Sequence, residues 1–294
     1  MKTWKGIILA GGNGSRLFPL THVVNKHLLP VYDKPMIYYP LTTLMLGGVR
    51  EYVVISSPAA LGQIEALLGD GRQWGIEIVY RAQERAGGIA ECFRIAEKDI
   101  AGCHVALALG DNIFHGAGMP RLLMQAMSHE SGATIFGYEV SDPSAYGVVV
   151  LDEHNRPIDL EEKPKVIRSR LAVPGLYFYD EQAAGFAREL QPSARGELEI
   201  TDLNRLYLDQ RQLHLEKLGR GVAWLDTGTH EALLQAANFI QTIQERQGLR
   251  VSCPEEIAFR RGWIDEAALR ALAAPLAKTE YGRYLRRLAD GLDV

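Results

Sequence analysis

The chain reads as an α/β protein: a Rossmann-like mixed, mostly parallel sheet flanked by helices, followed by a helical C-terminal appendage. Three observations predict it. Short β-branched runs alternate with helix-patterned stretches through the first half, as parallel strands covered by helices on both faces require. The first of these runs pours directly into a glycine-dense loop, Gly11-Gly-Asn-Gly-Ser-Arg16. From residue 230 onward strand signal fades and apolar residues recur at helical spacing. A chain of 294 residues can bury one substantial core, so a core is expected over 1–229 and a helical segment over 230–294, packed on that core or at a subunit interface.

Ile7, Ile8, Leu9 and Ala10 form a continuous apolar run, which suits a strand buried on both faces. The pattern then predicts a helix over 39–47, a strand over 51–55, a helix over 61–68, a strand over 77–80, a helix over 89–98 and a strand over 104–109. Further strands are read at 133–138, 147–151, 175–179 and 213–217, with a helix at 200–210, while 156–162 begins a more irregular insertion. The appendage reads as helices at 231–247, 254–261, 264–272 and 281–288. There is no internal repeat and no low-complexity segment.

Gly11, Gly12 and Gly14 let backbone N–H groups approach a polyphosphate with no Cβ in the way, and Arg16 adds a fork for phosphate oxygens. A Walker loop needs Gly-Lys-Ser/Thr where Gly14 is followed by Ser15-Arg16, and a dinucleotide fingerprint needs glycine where Leu17 stands. Neither fits. A glycine-rich turn without a ligand is the alternative reading of the loop alone.

Composition narrows the function classes. The net charge is −4 with acidic and basic residues interleaved, so no nucleic-acid or anionic membrane surface is expected. Cys92, Cys103 and Cys253 are odd in number and widely spaced, which suits reduced thiols rather than a disulfide framework or a zinc site. The apolar run after Lys2 and Lys5 ends at Gly11-Gly12, too soon for a signal peptide. The uncharged window at 35–49 falls short of the roughly 20 apolar residues of a membrane span. A soluble cytoplasmic protein is expected. No His-Glu-x-x-His, Gly-x-Ser-x-Gly or paired-cysteine motif supports a metalloprotease or a serine hydrolase.

In an open α/β sheet, ligands lie beyond the carboxyl ends of the strands, so a polar residue just after an apolar strand is a site candidate. Val105-Ala-Leu-Ala-Leu-Gly-Asp111 is one such case, and Val222-Ala-Trp-Leu-Asp226-Thr-Gly228 has the same form. Two such carboxylates suit Mg²⁺, which is held by one or two carboxylates together with substrate phosphates. A plain turn aspartate is the alternative for each.

Lys26-His-Leu-Leu-Pro-Val31, Gly-Asp-Asn-Ile-Phe at 110–114, Glu-Glu-Lys-Pro-Lys at 161–165, Gly-Leu-Tyr-Phe-Tyr at 175–179, Ala-Arg-Gly-Glu-Leu-Glu-Ile-Thr-Asp at 194–202 and Trp-Leu-Asp-Thr-Gly-Thr at 224–229 together carry a resemblance. The chain resembles the sugar-1-phosphate nucleotidyltransferases from about residue 5 to about residue 284, and among them the members that join dTTP to glucose 1-phosphate. The resemblance implies in-line attack of the sugar phosphate on the α-phosphorus, with dTDP-glucose and pyrophosphate as products, for deoxysugars of the dTDP-rhamnose type. It implies Mg²⁺ on Asp111 and Asp226, and catalytic roles for Arg16, Lys26, Asp111, Lys163 and Asp226. The nucleotide would be held by Leu9, Gly11, Gly12, Gly14, Ser15, Arg16, Gln83, Gly88 and Asp111. Gly147, Glu162, Lys163, Val173 and Arg195 would hold the sugar phosphate, and Tyr146, Tyr177 and Trp224 could supply apolar walls.

Two positions depart from the long members of the family, which carry glutamine where His27 and Glu91 stand. A carboxylate at Glu91 disfavours a nearby triphosphate unless a cation offsets it. Because thymine and uracil share an imide edge, a uridylyltransferase, or a thymidylyltransferase for another hexose 1-phosphate, stays open as an alternative. A nucleotide-sugar sensor without turnover is the alternative from another class. Relatives of this length form homotetramers with a second nucleotide site between subunits. Arg220, Ser252, Glu256 and Ile257 match that region, and they imply feedback by a pathway end product.

Overall fold

A computed structural model describes residues 2–12 and 14–292; Met1, Asn13 and the last two residues of the C-terminal segment lie outside the described residues. In chain order the strands are β1 (Trp4–Ala10), β2 (Pro30–Val31), β3 (Lys34–Pro35), β4 (Glu51–Ser56), β5 (Glu77–Ala82), β6 (His104–Leu109), β7 (Asn112–His115), β8 (Ala133–Glu139), β9 (Gly147–Leu151), β10 (Pro157–Glu162), β11 (Leu171–Ala172), β12 (Leu176–Tyr179), β13 (Leu213–Lys217) and β14 (Ala223–Asp226). The helices are α1 (Tyr38–Leu46), α2 (Pro58–Leu68), α3 (Glu91–Ile95), α4 (Glu97–Ile100), α5 (Met119–Ser128), α6 (Ala183–Glu189), α7 (Ile200–Asp209), α8 (His230–Gln247), α9 (Pro254–Arg260), α10 (Glu266–Ala273) and α11 (Glu280–Ala289).

The apolar run of β1 has no face that tolerates water, and the strand lies inside the sheet, parallel to β4 on one side and β6 on the other. Its successive side chains enter two different cores. Ile8 and Ala10 join α1, α2 and α5 on one face, while Ile7 and Leu9 join α3, α6 and α7 on the other. The mixed sheet runs β10-β9-β11-β8-β12-β6-β1-β4-β5, with β13 parallel to β8. The half from β6 to β5 is parallel, and β12 turns the sheet antiparallel at β6.

This junction positions the site. Leu9 pairs with Leu109 at the carboxyl ends of β1 and β6, and the Gly110 N–H donates to the Leu9 carbonyl at 2.9 Å. The glycine loop and Asp111 therefore leave the sheet side by side. β12 enters from that same edge, where the Leu109 N–H donates to the Gly175 carbonyl at 2.9 Å.

Residues 156–162 are not irregular: β10 pairs antiparallel with β9 around a register shift between Pro157 and Asp159. Pro157, Asp159, Glu161 and Glu162 give the segment little strand propensity, yet β10 is the sheet's edge, where charge and proline guard against unwanted pairing. The helix expected over 89–98 is two short helices, because Ala96 takes ψ 2° and leaves the helical track between them. Pattern reading missed α5 and α6; α5 carries a proline in its first turn, a usable start signal.

The C-terminal segment packs on its own chain. Ala236 and Ile240 of α8 bury against Val31, Met36, Tyr39 and Ile113, Ala258 of α9 joins the core around α1, and Leu269, Tyr284, Leu285 and Leu288 close a separate core within the segment beside Cys253. No helix among the described residues is long and apolar enough to cross a membrane. The three cysteines are free thiols.

Candidate active site

The carboxyl end of β6 is built around a buried histidine. A Cβ at Gly110 would run into the His27 ring, so the chain turns there on a glycine and delivers Asp111 past it. His27 Nδ1 lies 2.7 Å from Asn25 Oδ1. Burial, together with the neighbouring Lys26 charge, pushes the His27 pKa down to about 3, so the ring is neutral. The ammonium of Lys26 pairs with Asp111 Oδ2. Burial opposes ionisation of Asp111, but Lys26, together with the Asn112 amide at 3.0 Å, holds its pKa at about 2.

The second carboxylate arrives on a β-ladder. β14 lies antiparallel to β7 with Asp226 opposite Asn112, and the Thr227 hydroxyl and N–H donate to the Asp111 carbonyl at 2.8 and 3.2 Å. Asp226 Oδ1 accepts the Gly228 N–H at 3.1 Å. Burial and then the charge of Asp111 push the Asp226 carboxyl above its ordinary range, against the pull of Arg16 and Lys26. Where an ionised Asp111 opposes the ionisation of Asp226, a cation would relieve the repulsion. Among the described residues no cluster of three or more histidine, cysteine or acidic groups offers a complete metal cage. A two-carboxylate site therefore fits a hard divalent ion that draws its remaining ligands from phosphate and water.

Across the cleft the antiparallel half of the sheet contributes side chains. Glu162, at the end of β10, accepts the Thr201 hydroxyl at 2.7 Å and has Arg195 at 3.5 Å and Lys163 at 3.8 Å. Lys163 sits at φ +46°, a left-handed backbone that costs a non-glycine residue free energy and is typical of constrained functional positions. Its N–H is fixed by the Tyr146 carbonyl at 3.0 Å. Arg195 also pairs with Glu199 at 2.8 Å and Glu197 at 3.5 Å. The Tyr146 ring packs edge-on against Trp224, with centroids 4.9 Å apart.

One cleft thus gathers Arg16, Asp111, Gly147, Glu162, Lys163, Val173 and Asp226, with Tyr146, Tyr177 and Trp224 among its walls. Lys26 joins it through Asp111 and Arg195 through Glu162. Gln83 lies at Gly11 instead, with the Gly88 carbonyl 3.4 Å from its Nε2. A Cβ on Gly11 would collide with Gln83 Oε1, and Gly88 at φ +98° lies against the backbone of Leu198. Gly14 precedes a single 3-10 turn of Ser15, Arg16 and Leu17, and its carbonyl accepts the Thr21 hydroxyl at 2.7 Å.

Thr201 and Asn112 are among the cleft residues that escaped the reading of individual positions. They lie inside the motifs 194–202 and 110–114, Asn112 directly after Asp111. Asn112 Oδ1 accepts the Gly175 N–H at 3.0 Å and the Trp224 indole at 2.6 Å, tying three segments of the cleft together. Ser252, Glu256 and Ile257 line a second cavity with His115, Met119 and Arg261. Arg220 is exposed in the turn before β14, next to Gly221, whose carbonyl lies against Gly116 of that cavity. Glu256 is engaged by the Tyr284 hydroxyl at 2.7 Å and by Arg260 at 2.7 Å.

Residues 5–243 match the family model described as nucleotidyl transferase. The chain belongs to the nucleotidyl transferase family. Glucose-1-phosphate thymidylyltransferase of Xanthomonas campestris pv. campestris is 58% identical over 285 residues, 97% of each chain. The protein of that same name from Neisseria meningitidis serogroup A is 53% identical over 97% of this chain and 99% of its own. Among solved structures, a Bacillus anthracis chain assigned as a glucose-1-phosphate thymidylyltransferase, in complex with sucrose, superposes with a TM-score of 0.75 at 39% identity over 81% of this chain and 95% of its own. A UDP-glucose pyrophosphorylase complexed with UDP-glucose shares the nucleotidyl transferase fold at a TM-score of 0.72 and 23% identity, over 83% of this chain and all of its own.

Proposed function

We propose that the enzyme transfers a deoxythymidylyl group from dTTP to glucose 1-phosphate, releasing pyrophosphate and forming dTDP-glucose. The observation that carries this reading is the cleft at the junction of the two half-sheets, where Arg16, Lys26, Asp111 and Asp226 face Glu162 and Lys163. The names of the relatives support the substrate pair.

Each residue then has a task. The glycine loop and Arg16 take the triphosphate, and Gln83 and Gly88 take the base. Glu162 accepts sugar hydroxyls, while Lys163 and Arg195 hold the sugar phosphate so that its oxygen lies in line with the α-phosphorus. That oxygen forms the new P–O bond as the bond to pyrophosphate breaks, so no protein nucleophile is needed. Positioning and charge neutralisation carry the acceleration. Asp111 and Asp226 would hold Mg²⁺, which supplies Lewis-acid screening of the phosphate charge when bound.

Pyrophosphate release from a panel of dTTP and UTP crossed with hexose 1-phosphates tests the reading. Turnover is expected to be fastest with dTTP and glucose 1-phosphate, and absence of pyrophosphate with every pair overturns it. For assembly we propose a homotetramer, with Arg220, Ser252, Glu256 and Ile257 in a second nucleotide site. Light scattering showing a monomer at micromolar concentration contradicts the assembly. Inhibition by dTDP-rhamnose that is strictly competitive with dTTP and unaffected by Arg220→Ala or Glu256→Ala contradicts the second site.

A further inference from the structure

Gln83 is a buried amide, 6% exposed, at the turn that follows β5. Its Nε2 donates to Glu91 Oε2 at 2.8 Å and faces the Gly88 carbonyl at 3.4 Å. Both groups can only accept, since a carboxylate and a carbonyl carry no proton to give. The amide therefore has one possible orientation: both Nε2 hydrogens point toward acceptors, and Oε1 points over Gly11, where a Cβ would collide with it. Among the described residues Oε1 accepts no hydrogen bond. Oε1 is thus a fixed acceptor left open for a donor that a ligand can bring.

Glu91 is itself fixed. It opens α3, a Cβ on Gly87 would collide with its carboxylate, and Arg85 stands 3.9 Å away as the cation that offsets its charge. A glutamine at this position could face Gln83 with either its oxygen or its nitrogen, so it would permit both orientations of the partner amide. A carboxylate permits one.

We propose that Glu91 is a positioning residue that locks the Gln83 amide with Oε1 toward the nucleobase, making Gln83 an obligate acceptor for a ring N–H. The inference rests on the reading that Gln83 faces the base of a pyrimidine nucleotide. Thymine and uracil carry a proton on N3 and satisfy Oε1. Cytosine carries a lone pair there and is repelled, because a site with a fixed acceptor rejects a base that brings another. Release of the lock gives Gln83 the freedom to turn Nε2 toward the base and donate to the cytosine N3. The loss of discrimination is then specific to the base edge. Loss of negative charge near a triphosphate acts differently, because it strengthens dTTP and dCTP equally.

The test is calorimetric binding of dTTP and dCTP, with Mg²⁺, to the wild type, Glu91→Ala and Glu91→Gln. The ratio of the two dissociation constants is expected to narrow at least tenfold in Glu91→Ala and by an intermediate factor in the nearly isosteric Glu91→Gln, which keeps the test valid if the alanine variant fails to fold. The KM for glucose 1-phosphate stays within twofold in either variant that turns over. A ratio unchanged from wild type in the folded variants, with both triphosphates tightened alike, overturns the lock and leaves Glu91 as a charge alone. Absence of pyrophosphate release by the wild type would overturn the proposed reaction instead, while the binding ratio still decides the lock.

Discussion

The two half-sheets meet at one cleft but prepare it differently. On the parallel side one charge pair is largely shielded from solvent: Lys26 neutralises Asp111, whose pKa is held at about 2, and a neutral His27 fills the space behind them, while Arg16 is exposed. On the antiparallel side the charges are exposed and shared. Lys163 and Arg195 stand about half in solvent, and Arg195 is divided among Glu162, Glu197 and Glu199. The difference teaches where the site is preorganised. In the proposed reaction the Lys26–Asp111 pair is formed before substrate arrives, while Lys163 and Arg195 are exposed enough to turn from carboxylate to phosphate.

The sharpest break of this comparison is at the Lys26–Asp111 end. Asp111→Asn is expected to lower kcat by at least about a thousandfold, several kcal/mol of transition-state stabilisation, with an unchanged circular dichroism spectrum. A rate near wild type at saturating Mg²⁺ would take Asp111 out of the metal site. At the adaptable end the effect is smaller and confined to one substrate. Lys163→Ala should raise the KM for glucose 1-phosphate by about ten- to a hundredfold, the value of a charge-assisted hydrogen bond, and leave the KM for dTTP within about twofold. Equal losses for both substrates would mean that the two ends are not separate.

The buried histidine separates the two sides in stability as well. His27 has a folded pKa of about 3, below its unfolded value of 6.5, so the unfolded chain binds the extra proton between those values. Its contribution is fully present above pH 6.5 and is lost as the pH falls, by about 2 kcal/mol at pH 5. Urea unfolding at pH 8 and pH 5 should show that difference between wild type and His27→Gln, and identical pH dependence in the two would contradict a buried neutral ring. A smaller effect concerns the metal. The Asp226 carboxyl is raised by burial and by Asp111, so binding of Mg²⁺ must displace its proton at acid pH. Mg²⁺ titrations are expected to weaken from pH 7.5 to pH 5 in wild type and not in Asp226→Asn.

The parallel half was legible in the sequence. Ile7 to Ala10 announced a doubly buried strand, the glycines announced a close backbone approach, and Asp111 and Asp226 each follow an apolar run, which made them candidates whose shared role came from the resemblance. In the antiparallel half β8, β9, β12 and β13 were legible as well, and only the edge strand β10 was concealed, because it is made of proline and carboxylates. Glu162 and Lys163 were found through the motif that holds them, while the register that brings Glu162 to Thr201 joins residues 39 apart. Thr201 and Asn112 bear no charge and act by tying segments together, which no spacing along the chain reveals. The break at Ala96 depends likewise on tertiary packing.

The central claim is that the Asp111–Asp226 pair joins the two halves through a divalent cation and that this cleft turns over. Pyrophosphate release by wild type and Asp226→Asn tests it, with dTDP-glucose binding measured on each by calorimetry. The account predicts one pyrophosphate per sugar nucleotide from the wild type, strictly dependent on Mg²⁺, and an Asp226→Asn protein that binds dTDP-glucose but does not turn over. Near-wild-type release by Asp226→Asn at saturating Mg²⁺, or a wild type that binds dTDP-glucose yet releases no pyrophosphate, would contradict it.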